Sequence, residues 1–390
     1  MNHENTIVVL GGGVGGLTLV TELAKSVRGK HRIVLVDRKT VFHECVNNLW
    51  AITQDVPDYG AISVDFSASL RKAGVELIEA EVNSINPESK VVETEKESVR
   101  ADYLVIALGA QLSPESVPGL ADAGYNIYEW KGACDFGSAL KSFENGKIGI
   151  LVSRTPFKCP AAPYEAAFLL DSALREYGRR QRVQLDVYTP EWQPMLSAGD
   201  EVGNVIVGYM AERGIGYNTE RFALKVDSKN SKMLFEIDDA EYDLLAFVPP
   251  HTAPQAVRSS GLTDSTGWVP VNPNTLETRY RGVYALGDIS SIRLHNGLFL
   301  PMAGVFALGE ALVVANNIAA QLGLCQNTQF SGEGFCFIEV GNRLAAMGSG
   351  NFYAAPSPKV SMTPPTNENW MAKRELASSI TRSLKALESS

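Results

Sequence analysis

Hydrophobic residues in this chain come mostly in short unbroken runs rather than in strict alternation, the pattern of strands buried on both faces of a parallel sheet. Residues 6–10 (Thr-Ile-Val-Val-Leu) read as such a strand, and residues 17–23 as the helix packed on it. A second run, residues 32–36, closes on Asp37, and further runs at 103–107, 147–152, 183–188 and 244–248 repeat a strand-then-helix rhythm. Residues 282–288 supply one more buried strand, and the apolar stretch 304–320 reads as a helix. From about residue 330 the pattern changes to short strands at 335–340 and 344–347, a proline-rich connector and a final helix.

That order predicts an α/β fold: two Rossmann-like dinucleotide-binding domains of three layers and a small C-terminal domain. The first domain is expected to be discontinuous, residues 1–110 with 250–328, around a second Rossmann-like domain at 111–249, with residues 329–390 as the third. A length of 390 residues suits two or three domains. In the last stretch Trp370, Met371, Ala377, Ile380, Leu384 and Leu387 fall on one helical face, with Lys373, Arg374, Arg382 and Lys385 among the other positions. One amphipathic helix is expected there, docked on the protein's own core or on a partner subunit, with peripheral contact to a membrane as the alternative. No stretch of 18 apolar residues is free of charges and glycine breaks, so no transmembrane helix is expected.

A net charge of -9 argues against a general nucleic-acid binder, which needs a basic face for phosphates. The five cysteines (Cys45, Cys134, Cys159, Cys325 and Cys336) are scattered without a Cys-x-x-Cys pair, so neither a metal site nor a dense disulfide framework is expected. The chain reaches a glycine-rich turn within its first dozen residues without a basic leader and apolar core, and a cytoplasmic location is the expectation. Attachment to the cytoplasmic membrane and a homo-oligomer stay open.

The chemistry begins at Gly11-Gly12-Gly13-Val14-Gly15-Gly16, directly after the first strand. Gly11, Gly13 and Gly16 suit a tight turn, a pyrophosphate approach and close helix–strand packing, and Asp37, about twenty residues on, can accept from a ribose. Which dinucleotide binds follows from Gly282-Val283-Tyr284-Ala285-Leu286-Gly287-Asp288, because an acid at the end of a buried strand suits a flavin's ribityl chain. With the strand and glycine turn ending at Gly109, these segments point to FAD. After the strand at 147–152, where a second glycine-rich loop would bind a second nucleotide, the chain carries Lys158-Cys159-Pro160-Ala161-Ala162-Pro163-Tyr164-Glu165 instead.

Residues 158–165, Tyr188-Thr189-Pro190-Glu191-Trp192-Gln193-Pro194-Met195, Val248-Pro249-Pro250-His251, residues 282–288 and Gly334-Phe335-Cys336-Phe337-Ile338-Glu339 together resemble the sulfide:quinone oxidoreductase family. That family includes flavocytochrome c sulfide dehydrogenase and lies within the FAD-dependent pyridine nucleotide-disulfide oxidoreductases; the resemblance extends over nearly the whole chain. It implies oxidation of sulfide or a persulfide at a cysteine pair beside FAD, with electrons passed to a quinone. Cys159 resembles the cysteine that contacts the flavin, Cys336 its distant redox partner, and Glu165 the carboxylate that carries protons as quinone is reduced. The same resemblance places Val82, Gly109, Gly287, Asp288 and Met302 at the cofactor, together with Cys134, which resembles a third cysteine that some members attach covalently to the flavin. Lys158 and a helix start after Pro160 are both expected to favour the Cys159 thiolate.

Two departures stand out. The family commonly shows Pro-Lys-Ala/Thr-Gly where this chain has Pro301-Met302-Ala303-Gly304, so a reduced flavin loses one cationic neighbour unless another group substitutes. In residues 41–50, where disulfide reductases place two cysteines, only Cys45 is present and Trp50 takes the second place. Two other functions compete: an NAD(P)H-dependent flavin or quinone reductase using Glu165 without cysteine chemistry, and a flavin-binding homologue without turnover.

Overall fold

Runs of Val, Ile and Leu that are buried on both faces need a sheet covered on both sides, and the chain builds two. The computed structural model describes residues 4–27, 29–56 and 59–389. In the first sheet the order is Val283–Ala285, Tyr103–Ile106, Thr6–Leu10, Arg32–Asp37, Glu76–Glu79, every pair parallel. A strand from late in the chain thus completes a sheet begun at the N-terminus. The helices Val14–Val27 and Gly304–Gln321 pack against each other beside this sheet. The second sheet has the order Tyr125–Asn126, Leu244–Val248, Gly146–Val152, Val183–Tyr188, Gly216–Asn218, again parallel throughout. Ala162–Glu176, the helix after Gly146–Val152, is buried along nearly its whole length.

Four features differ from the sequence reading. Two antiparallel meanders interrupt the α/β rhythm: Val82–Asn86, Val91–Thr94, Ser98–Arg100, and Ala223–Asp227, Lys232–Phe235, Asp239–Glu241. The helix Gly304–Gln321 is, by length and composition, apolar enough to cross a membrane. Its inner positions are buried against the body, as those of a core helix are, and they include the charged Glu310. The proline-rich connector is itself a strand, Lys359–Thr366, on the edge of the antiparallel sheet Glu333–Glu339, Ala345–Asn351, Lys359–Thr366. Pro364 and Pro365 are tolerated because the register slips between Ala345 and Met347, where no ladder donor is required of them.

The fourth difference is the C-terminus. Instead of one helix there are two, Asn367–Leu376 and Ser379–Ser389, the first capped by Thr366 Oγ1, which accepts from the Asn369 N–H. The break at residues 377–378 changes the helical phase, and Lys373, expected on the polar side, is 4% exposed. In the second helix Leu384 is buried, and Thr381 donates through its N–H (3.1 Å) and its hydroxyl (3.0 Å) to the buried Glu44 carboxylate. This helix packs on Ser67–Ala73, while Met371 of the first stays exposed and the side chain of Leu387 lies outside the described residues.

Candidate active site

Thr6–Leu10 ends in a turn that only glycine allows: Gly11 has φ 104°, and a Cβ on Gly11 or Gly16 would collide with the carbonyl oxygen of Ala107 or of Gly11. Gly13 faces open space, with nothing within 4 Å of where its Cβ would be, at the start of the helix Val14–Val27. That exposed backbone and helix N-terminus form a cradle for a pyrophosphate. Asp37, at the end of Arg32–Asp37, accepts from the N–H of Gly12 (2.5 Å) and of Lys39 (2.8 Å). Ala80 N–H donates to the Asp37 carbonyl (2.9 Å), which brings the chain back beside the acid just before Val82 opens the next strand.

Gly109 lies past the Tyr103–Ile106 strand with open space where a Cβ would stand. Gly287 begins a one-turn helix, Gly287–Ile289, and its N–H donates to Glu310 (2.6 Å). Burial pushes the Glu310 carboxyl up to about 8, although the Gly287 N–H opposes this. Asp288 is half-buried and has no hydrogen-bond partner among the described residues; burial raises its carboxyl and the charge of Lys158 pulls it back. An open phosphate cradle, an acid at the end of the second strand beside it and an unpartnered carboxylate beside the first sheet fit FAD.

The loop after Gly146–Val152 brings Cys159 to the same place. Cys159 adopts φ 52°, the left-handed region that side chains avoid, and its N–H donates to the carbonyl of Met302 (2.6 Å). Tyr128 Oη donates to the carbonyls of Lys158 (2.9 Å) and Cys159 (3.3 Å). The Cys159 thiol is pushed up to about 12, by burial first and then by Glu165, against the opposing pull of Lys373 and the Ala162 N–H. The helix start helps the thiolate as expected, but the cation that helps it is Lys373. Lys158 bears instead on Asp288 and His251.

Cys336, on Glu333–Glu339, lies close enough for the charge of Cys159 to act on it. Burial, then Cys159 and Glu165, push its thiol well above the ordinary value, with Lys373 opposing. Both thiols are free. Glu165 is 2% exposed, so it is no solvated helix glutamate. Its Oε1 accepts from Lys373 Nζ (2.5 Å) and from the Glu339 N–H (2.6 Å). Lys373 also reaches Glu339 Oε2 (3.4 Å), and the two oxygens of Glu339 accept from the indole N–H groups of Trp370 and Trp50, each at 2.8 Å. Burial raises Glu165 against the pull of Lys373; for Lys373 burial works downward, and the two carboxylates outweigh it. Two thiols, a buried acid and a buried ammonium therefore share one environment, able to hold sulfur and to store a proton.

Residues 5–145 match the family described as pyridine nucleotide-disulphide oxidoreductase. Over those residues the chain is similar to the FAD-dependent pyridine nucleotide-disulphide oxidoreductases. It is 27% identical over 356 residues to the mitochondrial sulfide:quinone oxidoreductase of Dictyostelium discoideum, covering 86% of this chain and 75% of that one. To the mouse (Mus musculus) mitochondrial sulfide:quinone oxidoreductase it is 26% identical over 306 residues, covering 75% of this chain and 66% of that one. The fold is similar to that of the sulfide:quinone oxidoreductase from the hyperthermophilic bacterium Aquifex aeolicus, with a TM-score of 0.87 at 20% identity over 98% of this chain and 92% of that one.

The remaining candidates stand in other surroundings or meet the thiol pair through the backbone alone. Cys134 sits on the helix Trp130–Ser142, half-buried, where only burial and Asp135 raise its thiol. Cys45 is exposed, and His43 contacts Asn48 through Nε2 (2.9 Å) and stacks on Tyr59. Met302 meets the site through its backbone, while its side chain packs on the apolar cluster under the first sheet. Lys373, Glu339 and the two tryptophans escaped the sequence reading. Glu339 closes the segment 334–339, but nothing in the sequence joins it to Lys373.

Proposed function

We propose that this FAD-dependent oxidoreductase oxidises sulfide or a persulfide at Cys159 and Cys336 and delivers the electrons to a quinone. When bound, FAD supplies a two-electron acceptor beside the pair. What supports this reading is that Cys336, from a different part of the fold, lies close enough for the charge of Cys159 to act on it, with Glu165 and Lys373 acting on both thiols. The names of the relatives agree with it. Gly11, Gly13, Gly16, Asp37, Val82, Gly109, Gly287 and Asp288 would hold the cofactor.

Thiol–disulfide chemistry needs a thiolate, and both thiols are held protonated by burial, so a proton must leave before sulfur can attack. Lys373 favours that loss at Cys159. Glu165, raised by burial, can hold a proton for a quinone, which takes up two on reduction, at Oε2, since Oε1 accepts from Lys373 and from the Glu339 N–H. Met371 is exposed on the C-terminal helix and Phe335, the neighbour of Cys336, on the small sheet. They support peripheral contact with the membrane that holds a quinone.

Anaerobic mixing with sulfide tests the reading. The flavin band should bleach in the wild type and persist in Cys159→Ser and Cys336→Ser, both of which stay yellow. Bleaching by NADH at the same rate in all three, with none by sulfide, would replace it with a nicotinamide-dependent reductase.

A further inference from the structure

Lys158 carries a charge that the thiol pair does not use. Among the described residues its ammonium has no ion-pair partner and no side-chain hydrogen bond. Lys373, the cation that bears on Cys159, is committed to Glu165 and Glu339. The charge of Lys158 acts on the Asp288 carboxylate, in the turn Gly287–Ile289, and on the His251 ring, in the short strand His251–Thr252.

Two contacts fix that loop. The Cys159 N–H holds the Met302 carbonyl (2.6 Å), so the residue next to Lys158 is tied to the turn that lacks a cation of its own. Tyr128 Oη holds the Lys158 carbonyl (2.9 Å) and packs edge-on to His251, ring centroids 5.6 Å apart. A carbonyl only accepts, so the contact of His251 Nδ1 with the Pro249 oxygen (2.9 Å) puts the ring proton on Nδ1. Nε2 is then a bare acceptor; it is buried without a partner in a residue 8% exposed. A neutral acceptor of this kind can steady an ammonium without neutralising it.

The surroundings favour a cation. Asp288, Glu310 and Glu165 all lie near this site, and Met302 contributes no charge. Adding two electrons and one proton to oxidised flavin gives an anion, its charge spread over N1 and the C2 carbonyl oxygen. Acids alone would oppose that charge. We propose that Lys158 is the cation of the flavin site, steadied by His251, and compensates the reduced cofactor in place of residue 302.

The proposal rests on FAD binding and not on sulfide chemistry, so its test uses neither sulfide nor quinone. Under anaerobic conditions, with dithionite as reductant, the FAD of the holoenzyme is equilibrated against a dye of known potential. Lys158→Met should keep its FAD and favour the oxidised form about tenfold, a fall of about 30 mV for a two-electron couple. Lys158→Arg, which keeps the charge, should stay near the wild type. A wild-type potential in yellow Lys158→Met would overturn the proposal, as would an equal fall in Lys158→Arg. Should Lys158→Met fold poorly, Lys158→Gln is read by the same criteria.

Discussion

At Cys159 the chain holds a thiol in an unfavourable backbone conformation and an unfavourable medium at once. Because burial and Glu165 push it up to about 12 while Lys373 resists, alkylation of Cys159 in the FAD-free protein should be slow at neutral pH. The rate, followed by mass spectrometry with iodoacetamide, should still be climbing above pH 10, and Lys373→Met should slow it further; a plateau near pH 8 would contradict this. Glu310 gives a second dependence. Its carboxyl is raised from 4.5 to about 8, so its contribution to stability is full below about pH 4.5 and is lost as pH rises through about 8. Glu310→Gln, compared with the wild type by urea denaturation of the FAD-free protein, should flatten the decline across that window. Cys159 and Glu165 were legible because they stand in one short segment. The partners of Glu165 were not: Lys373 lies 208 residues away and Glu339 174, and only folding joins them.

Helices and strands were readable where burial is two-sided. Thr6–Leu10 and Leu244–Val248 match their apolar runs end to end. The meanders were not, since Val82–Asn86 and Ala223–Asp227 mix buried and exposed positions, with no apolar run to betray them. At the C-terminus the helical pattern was real, but a break of two residues rephased it and turned Lys373 inward. The helix Asn367–Leu376 is therefore pinned by charge. Removing the ammonium in Lys373→Met leaves Glu165 and Glu339 facing each other in the interior, and should cost about 3–5 kcal/mol, measured by urea denaturation. A loss below about 1 kcal/mol would mean that water or a proton already compensates them.

Over the whole molecule, the site is assembled from three parts that no local pattern links. The first sheet gives the glycine cradle and Asp288, the second gives Cys159 and Glu165, and the C-terminal sheet and helices give Cys336, Glu339 and Lys373. A ligand that binds only the folded arrangement stabilises it by mass action. Added FAD should therefore raise the midpoint of thermal unfolding of the FAD-free protein in proportion to the logarithm of its concentration. Gly13→Val, which fills the open face of the turn, should abolish the rise while leaving the apoprotein's own midpoint within a few degrees.

Trp50 and Trp370 both donate to Glu339, which also meets Lys373. The pair of indoles is thus an optical gauge of the interior: any change in the charge carried by that carboxylate alters two emitters together, and fluorescence can follow proton traffic without a label.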